Sequence, residues 1–201
     1  MKRAENDTRA AAETLRDEVA SLLARMTREE KAGMLAGHDF WHLPGVQRLG
    51  IAPDVRCTDC GHGVSPLGEG LRQGTCFPTG VGQAATWNPR LIERLGAVLG
   101  QETLALGNSI LLGPKISLHR IPVGGRNFET FSEDPFLAGK LAAAAIRGIQ
   151  AQGAGACVKA ATANNQQLNQ SNLDVRLDER TLREIYTEHF RIALAEGRPW
   201  A

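Results

Sequence analysis

The sequence predicts an α/β fold. Two features carry this: apolar runs at residues 109–112 and 156–159 that lack the polar alternation of a half-exposed strand, and amphipathic stretches with helix-cap signatures around them. Strands apolar on both faces belong in a parallel sheet covered by helices, because each crossover lays a helix against the sheet.

The elements follow in order. Residues 11–26 set Leu15, Val19, Leu22, Leu23 and Met26 at helical spacing, and Thr27 with Glu30 three positions on is a capping box opening a second short helix. Residues 1–26 are therefore expected to be a helical lead-in to a domain over 27–201. A Gly- and Pro-rich stretch, 45–78, is expected to be mostly loop, with one short strand at 51–57. Asn88 then caps and Pro89 opens a helix with Leu91, Leu95, Val98, Leu99 and Leu106 on one face, closed by Gly107. After the strand at 109–112, Asp134 caps and Pro135 opens a helix lined by Leu137, Leu141, Ala144, Ala145 and Gly148 and ending near Gly153. A third helix over 178–196 carries Leu182, Ile185, Tyr186, Phe190, Ala193 and Leu194. The final residues, 197–201, look like a turn into another strand, so the chain is expected to stop in mid-fold with a sheet edge that invites self-association.

The bulk properties exclude several classes. A net charge of +1, from 23 basic and 22 acidic residues, offers no field for nucleic acid or an anionic membrane. No stretch approaches the ~20 apolar residues of a membrane span, and no apolar run follows the basic start, so a cytoplasmic location is expected. In such a compartment Cys57, Cys60, Cys76 and Cys157 stay thiols. A zinc site from Cys57, Cys60, His62 and Cys76 has suitable spacing but is outweighed by the reading of Asp59 below. At 201 residues the chain suffices for one domain, yet falls short of the about 250 residues of a complete eight-fold α/β barrel.

Three polar clusters lie just after the predicted strands, where α/β folds keep their sites: residues 56–63, 124–135 and 157–166. Carboxylate, guanidinium and ammonium groups together match a ring of hydroxyls, which both donate and accept. The strings Arg-x-Thr-Asp-x-x-His-Gly, Thr-Cys-Phe-Pro-Thr, Gly-Gly-Arg-Asn-Phe-Glu-x-Phe-Ser-Glu-Asp-Pro and Gly-Ala-Cys-Val-Lys, in this order from about Met26 onward, resemble the N-terminal domain of family 3 glycoside hydrolases of the β-glucosidase type. The resemblance implies the first part of a (β/α)8 TIM-barrel-like domain and a retaining, cofactor-free hydrolase acting on a β-glucoside. It also implies sugar binding by Asp59, Arg126 and Lys159. A carboxylate among cationic donors can accept from two hydroxyls, and a planar guanidinium offers a fork that lysine cannot mimic. A structural ion pair is the competing account of Asp59 and Arg126.

Other residues in these strings are assigned to the scaffold and not to catalysis: Glu129, Glu133 in a tied-down loop, Asp134 as a helix cap, Trp87 in the core, His62 and His119 as structural. Three positions depart from the family pattern. Ala160 stands where the family has a histidine donor, Cys60-Gly61 where it has Gly-Pro, and Gln167 where it often has glutamate. The family's Ser-Asp-Trp nucleophile segment and its acid/base are not found in these residues, so the chain is expected to bind sugar and not to hydrolyse it. Two alternatives remain: a non-catalytic remnant, or a structural half-barrel that pairs with another chain. The N-acetylglucosaminidase branch is disfavoured, since it has Lys-His-Phe-Pro-Gly-His-Gly where this chain reads Lys159-Ala160-Ala161-Thr162.

Overall fold

A computed structural model of the chain describes residues 2–65 and 74–201, with side chains from residue 13 onward. Part of the expected loop, 66–73, lies outside the described residues. The chain forms two compact units, Met1–Val55 and Arg56–Ala201.

The first unit holds helix α1 (Lys2–Arg25) and the short helix α2 (Arg28–Gly33). The capping box at their junction is present: Glu30 N–H donates to Thr27 Oγ1 at 3.1 Å, and Thr27 N–H donates to Glu30 at 2.9 Å. Of the apolar stripe of α1, Leu15, Val19 and Leu23 are exposed and Leu22 is half-buried. The strand expected at 51–57 begins only at Cys57 and runs to Asp59, and a tight turn stands where it was expected to start. Ile51 pairs antiparallel with Val46 around Gly50 at φ +73°, and Pro53, which has no N–H to donate, stops the pairing from running on.

The second unit has the βα rhythm. Strands β1 (Cys57–Asp59), β2 (Ile110–Leu112) and β3 (Gly155–Ala156) form one parallel sheet in the order β1-β2-β3, with Cys57 opposite Ile110 and Ile110 opposite Gly155. A short helix α3 (Gly80–Ala84) precedes the long helices α4 (Pro89–Ala105) and α5 (Pro135–Gln150). Asn88 caps α4 through the Leu91 N–H, and Asp134 caps α5 through the Phe136 and Leu137 amides. Thr58, Leu111 and Ala156, one from each strand, are fully buried in the core shared with Ile92, Leu99, Leu141, Ile146 and Ile149. Their in-line neighbours Cys57, Ile110 and Leu112 are only half-buried, so α4 and α5 cover one face of the sheet.

Helix α4 turns a different side inward from the one its leucines suggest: Ile92, Gly96, Leu99, Gly100 and Thr103 are buried, while Leu91 and Val98 are exposed. The reason is backbone contact. A Cβ on Gly96 would stand 2.4 Å from the Ala145 carbonyl, and one on Gly148 only 2.0 Å from the Glu93 carbonyl. Trp87, assigned to the core from sequence, is instead 72% exposed at φ +50°, in the turn leading to Asn88. The last helical stretch is capped by Asp178 and runs through α6 (Glu179–Thr181) and α7 (Glu188–Ile192), with π turns at Leu182–Tyr186 and Ala193–Gly197. Beyond it the Val158 N–H donates to the Ala201 carbonyl at 3.1 Å and the Ala201 N–H to the Ala156 carbonyl at 3.2 Å.

Candidate functional site

Each polar cluster emerges from the carboxyl end of a strand. Asp59 is the last residue of β1. The chain leaving β2 carries Lys115 and, after a longer loop, a 3-10 turn over Asn127–Glu129 that sets Arg126 and Glu129 together. The chain leaving β3 carries Lys159, whose backbone pairs with Lys115: Ile116 N–H donates to Lys159 O at 2.6 Å and Lys159 N–H to Pro114 O at 3.1 Å. Parallel pairing of three strands thus brings residues 100 positions apart to one rim.

Lys159 Nζ is in direct ion-pair contact with Asp59 Oδ1, which also accepts from the Cys60 N–H at 2.8 Å. Asp59 Oδ2 has no protein hydrogen-bond partner among the described residues. Burial alone would push the Asp59 carboxyl up, but the Lys159 hydrogen bond and charge, the Cys60 amide and the Arg126 charge outweigh it and hold the group below its ordinary value. Arg126 is therefore near enough to act on Asp59, yet its hydrogen bonds go elsewhere. Its Nε lies 2.9 and 3.0 Å from the two Glu129 oxygens and its second terminal nitrogen 2.6 Å from Glu129 Oε2. This bidentate clamp raises the guanidinium further above its ordinary value.

The three residues singled out from sequence thus share one end of the sheet, though the ion pairs are Asp59–Lys159 and Arg126–Glu129, not Asp59–Arg126. Glu129 has a more specific place than a scaffold loop residue: it is the partner that fixes Arg126. Lys115 was missed altogether. Its side chain is 1% exposed and its Nζ lies 3.6 Å from Glu129 Oε2, too far for a hydrogen bond. A lone charged residue inside the largely apolar run 110–118 was the available signal. Burial first, then the Arg126 charge, push the Lys115 ammonium below its ordinary value against the pull of Glu129.

The residues assigned to the scaffold from sequence make local contacts. Asp134 caps α5, His119 meets the Thr130 carbonyl at 3.1 Å, and His62 stacks edge-on to Phe128. All four cysteines are free, and burial pushes the Cys60 thiol up to about 12, far from a reactive thiolate. Among the described residues no three His, Cys, Asp or Glu side chains are grouped to hold a metal ion.

A parallel sheet with covering helices, and a carboxylate, a guanidinium and ammonium groups at its carboxyl rim, defines an α/β protein, a class whose sites form at that end of the sheet. Within that class the chain belongs to the family 3 glycosyl hydrolases: residues 44–197 match the Glycosyl hydrolase family 3 N terminal domain. It is 47% identical over 191 residues to thermostable beta-glucosidase B of Acetivibrio thermocellus, covering 91% of this chain and 25% of that protein. It is 39% identical to the exo-alpha-(1->6)-L-arabinopyranosidase of Bifidobacterium longum, covering 87% and 24%. Among solved structures it is similar to beta-glucosidase 3B of Thermotoga neapolitana in complex with alpha-D-glucose, at 36% identity and a TM-score of 0.83, covering 91% of this chain and 28% of that one. The chain spans about a quarter of the length of the curated relatives it matches.

Proposed function

We propose that this chain forms the sugar-gripping part of a retaining β-glucosidase-type active site, with the nucleophile and the acid/base supplied by residues other than these 201. The observation that carries the reading is the gathering of Asp59, Lys159 and Arg126 at the strand ends with hydrogen-bonding capacity left over. Asp59 Oδ2 is uncommitted, Lys159 has two further N–H donors, and one terminal nitrogen of Arg126 is unused among the described residues. A pyranose hydroxyl pair bridging Asp59 and Lys159 exchanges an internal ion pair for charge-assisted hydrogen bonds, so the loss of that pair is offset. Ala160 adds no side-chain donor, which weakens the grip. The β-glucosidase 3B structure with bound alpha-D-glucose supports a hexopyranose, and the arabinopyranosidase relative extends the expected range to other pyranoses. No cofactor enters this chemistry, and a cytoplasmic setting that keeps the four thiols reduced belongs to the same reading.

Titration of glucose into the purified chain, followed by calorimetry or NMR, tests it. Saturable binding is expected, weakened at least about tenfold in Asp59→Ala through loss of a charged acceptor. No binding by the wild-type chain, or equal binding by the variant, overturns the proposal. The alanine at position 160 favours a second reading, a non-catalytic scaffold that pairs with another chain; absent glucose binding together with a dimer mass in sedimentation selects it.

A further inference from the structure

Lys115 has no place in the sugar-binding account above, and its surroundings are unusual. Its ammonium is enclosed behind the strand-end rim in a small cavity of about 20 Å³ lined by Cys60, His62, Gln83, Leu95, Phe131 and Glu129. Nζ has no hydrogen bond among the described residues, and its ion-pair partner is Glu129. Burying an ammonium with a single, imperfect partner costs stability, and an apolar side chain of the same length suits the cavity's Leu95 and Phe131 wall better.

Arginine loses much rotamer freedom when a ligand fixes it, and pre-ordering of the guanidinium removes that loss from the binding step. Arg126 is 36% exposed, so solvent does not order it; the Glu129 carboxylate does, and Glu129 is 10% exposed. Glu129 Oε2 faces Arg126 on one side, at 2.6 Å, and Lys115 on the other, at 3.6 Å. Lys115 is itself held by the backbone pairing with Lys159, so the line from Lys159 through Lys115 and Glu129 to Arg126 spans the rim.

We infer that Lys115 is a positioning residue: its buried ammonium fixes the Glu129 carboxylate from the interior, and Glu129 in turn holds the Arg126 guanidinium ready for a ligand. That the ligand is a sugar rests on the proposed function; the ordering of Arg126 does not.

The experiment uses the whole chain in three forms: wild type, Lys115→Met and Lys115→Gln, the last retaining a donor without the charge. Solvent exchange of the Arg126 Nε–H, assigned by its loss in Arg126→Lys, is read by nitrogen-15 NMR. Exchange is expected to quicken by about fivefold or more in both variants while the β2 and β3 amides keep their protection. Unchanged exchange overturns the inference whatever glucose does. Glucose affinity is then measured in a double-mutant cycle with Glu129→Gln. Lys115→Met is expected to weaken binding about fivefold alone and less than about twofold in the Glu129→Gln background. Equal losses in both backgrounds indicate a general packing effect and overturn it. Affinity untouched by Lys115→Met but lost in Asp59→Ala overturns it while leaving the proposed function standing; no glucose binding by the wild type ends that function, and the Nε–H exchange alone then decides the role of Lys115.

Discussion

His189 is 1% exposed, its Nδ1 donating to the Ile185 carbonyl at 3.2 Å, and burial depresses its pKa to about 4 despite opposing contributions from that hydrogen bond and Glu188. A group whose folded value lies below its unfolded value of about 6.5 takes up its proton first in the unfolded chain. Its stabilising contribution is therefore complete above about pH 6.5 and is lost as pH falls from there toward about 4. Urea titrations at pH 7 and pH 4.5 are expected to show a smaller acid-induced loss for His189→Leu than for the wild type, by roughly 2 kcal/mol; equal losses exclude the histidine as a source of acid sensitivity. Asp59 has the same sign in another window. Its depressed carboxyl keeps the Lys159 pair intact above the ordinary carboxylate range and releases it only below, so glucose affinity is expected to be flat from pH 5 to 8. A fall in affinity across that window counts against Asp59 as the charged acceptor.

Helices α4 and α5 make the most extensive contact in the fold, and its geometry was only half legible in the sequence. The caps were readable, because Asn88 and Asp134 each precede a helix by a fixed chemical rule, as was the parallel pairing of unbroken apolar strands. The facing sides were not. Periodicity counts large apolar residues, whereas this contact is made by Gly96, Gly100 and Gly148, which score as nothing and yet let the backbones touch. The same limit explains Trp87, whose apolar bulk suggested the core while its left-handed turn directs it outward, and Lys115, which composition treats as a surface residue. Gly148→Ala is expected to destabilise the chain by about 3 kcal/mol, since its Cβ would meet backbone atoms that cannot swing aside. In thermal unfolding this is a drop of roughly 6 to 12 °C. Gly33→Ala, with nothing within 4 Å of the new methyl, is expected to be neutral or slightly stabilising. A Gly148→Ala variant as stable as the wild type means that α4 and α5 are not packed backbone to backbone.

At the scale of the whole chain, the surroundings of the described rim carboxylates bear on the proposed division between gripping a sugar and cleaving its bond. A retaining glycosidase needs one carboxyl with a raised pKa to protonate the leaving group, and a second, about 5 to 5.5 Å away, free to attack. Asp59 is held below its ordinary value, the wrong direction for an acid at neutral pH. Both Glu129 oxygens accept from Arg126, and Oε2 also faces Lys115, so its lone pairs are engaged in the clamp. Glu133 is exposed and Asp134 is committed to the amides of α5. The chain alone is accordingly expected to release no p-nitrophenol from p-nitrophenyl β-D-glucoside above the buffer rate, even at concentrations that would saturate the proposed glucose site. Hydrolysis that tracks the purified chain would mean that carboxylates among these residues do chemistry after all, against the partners that hold Asp59 ionised and the clamp that engages Glu129.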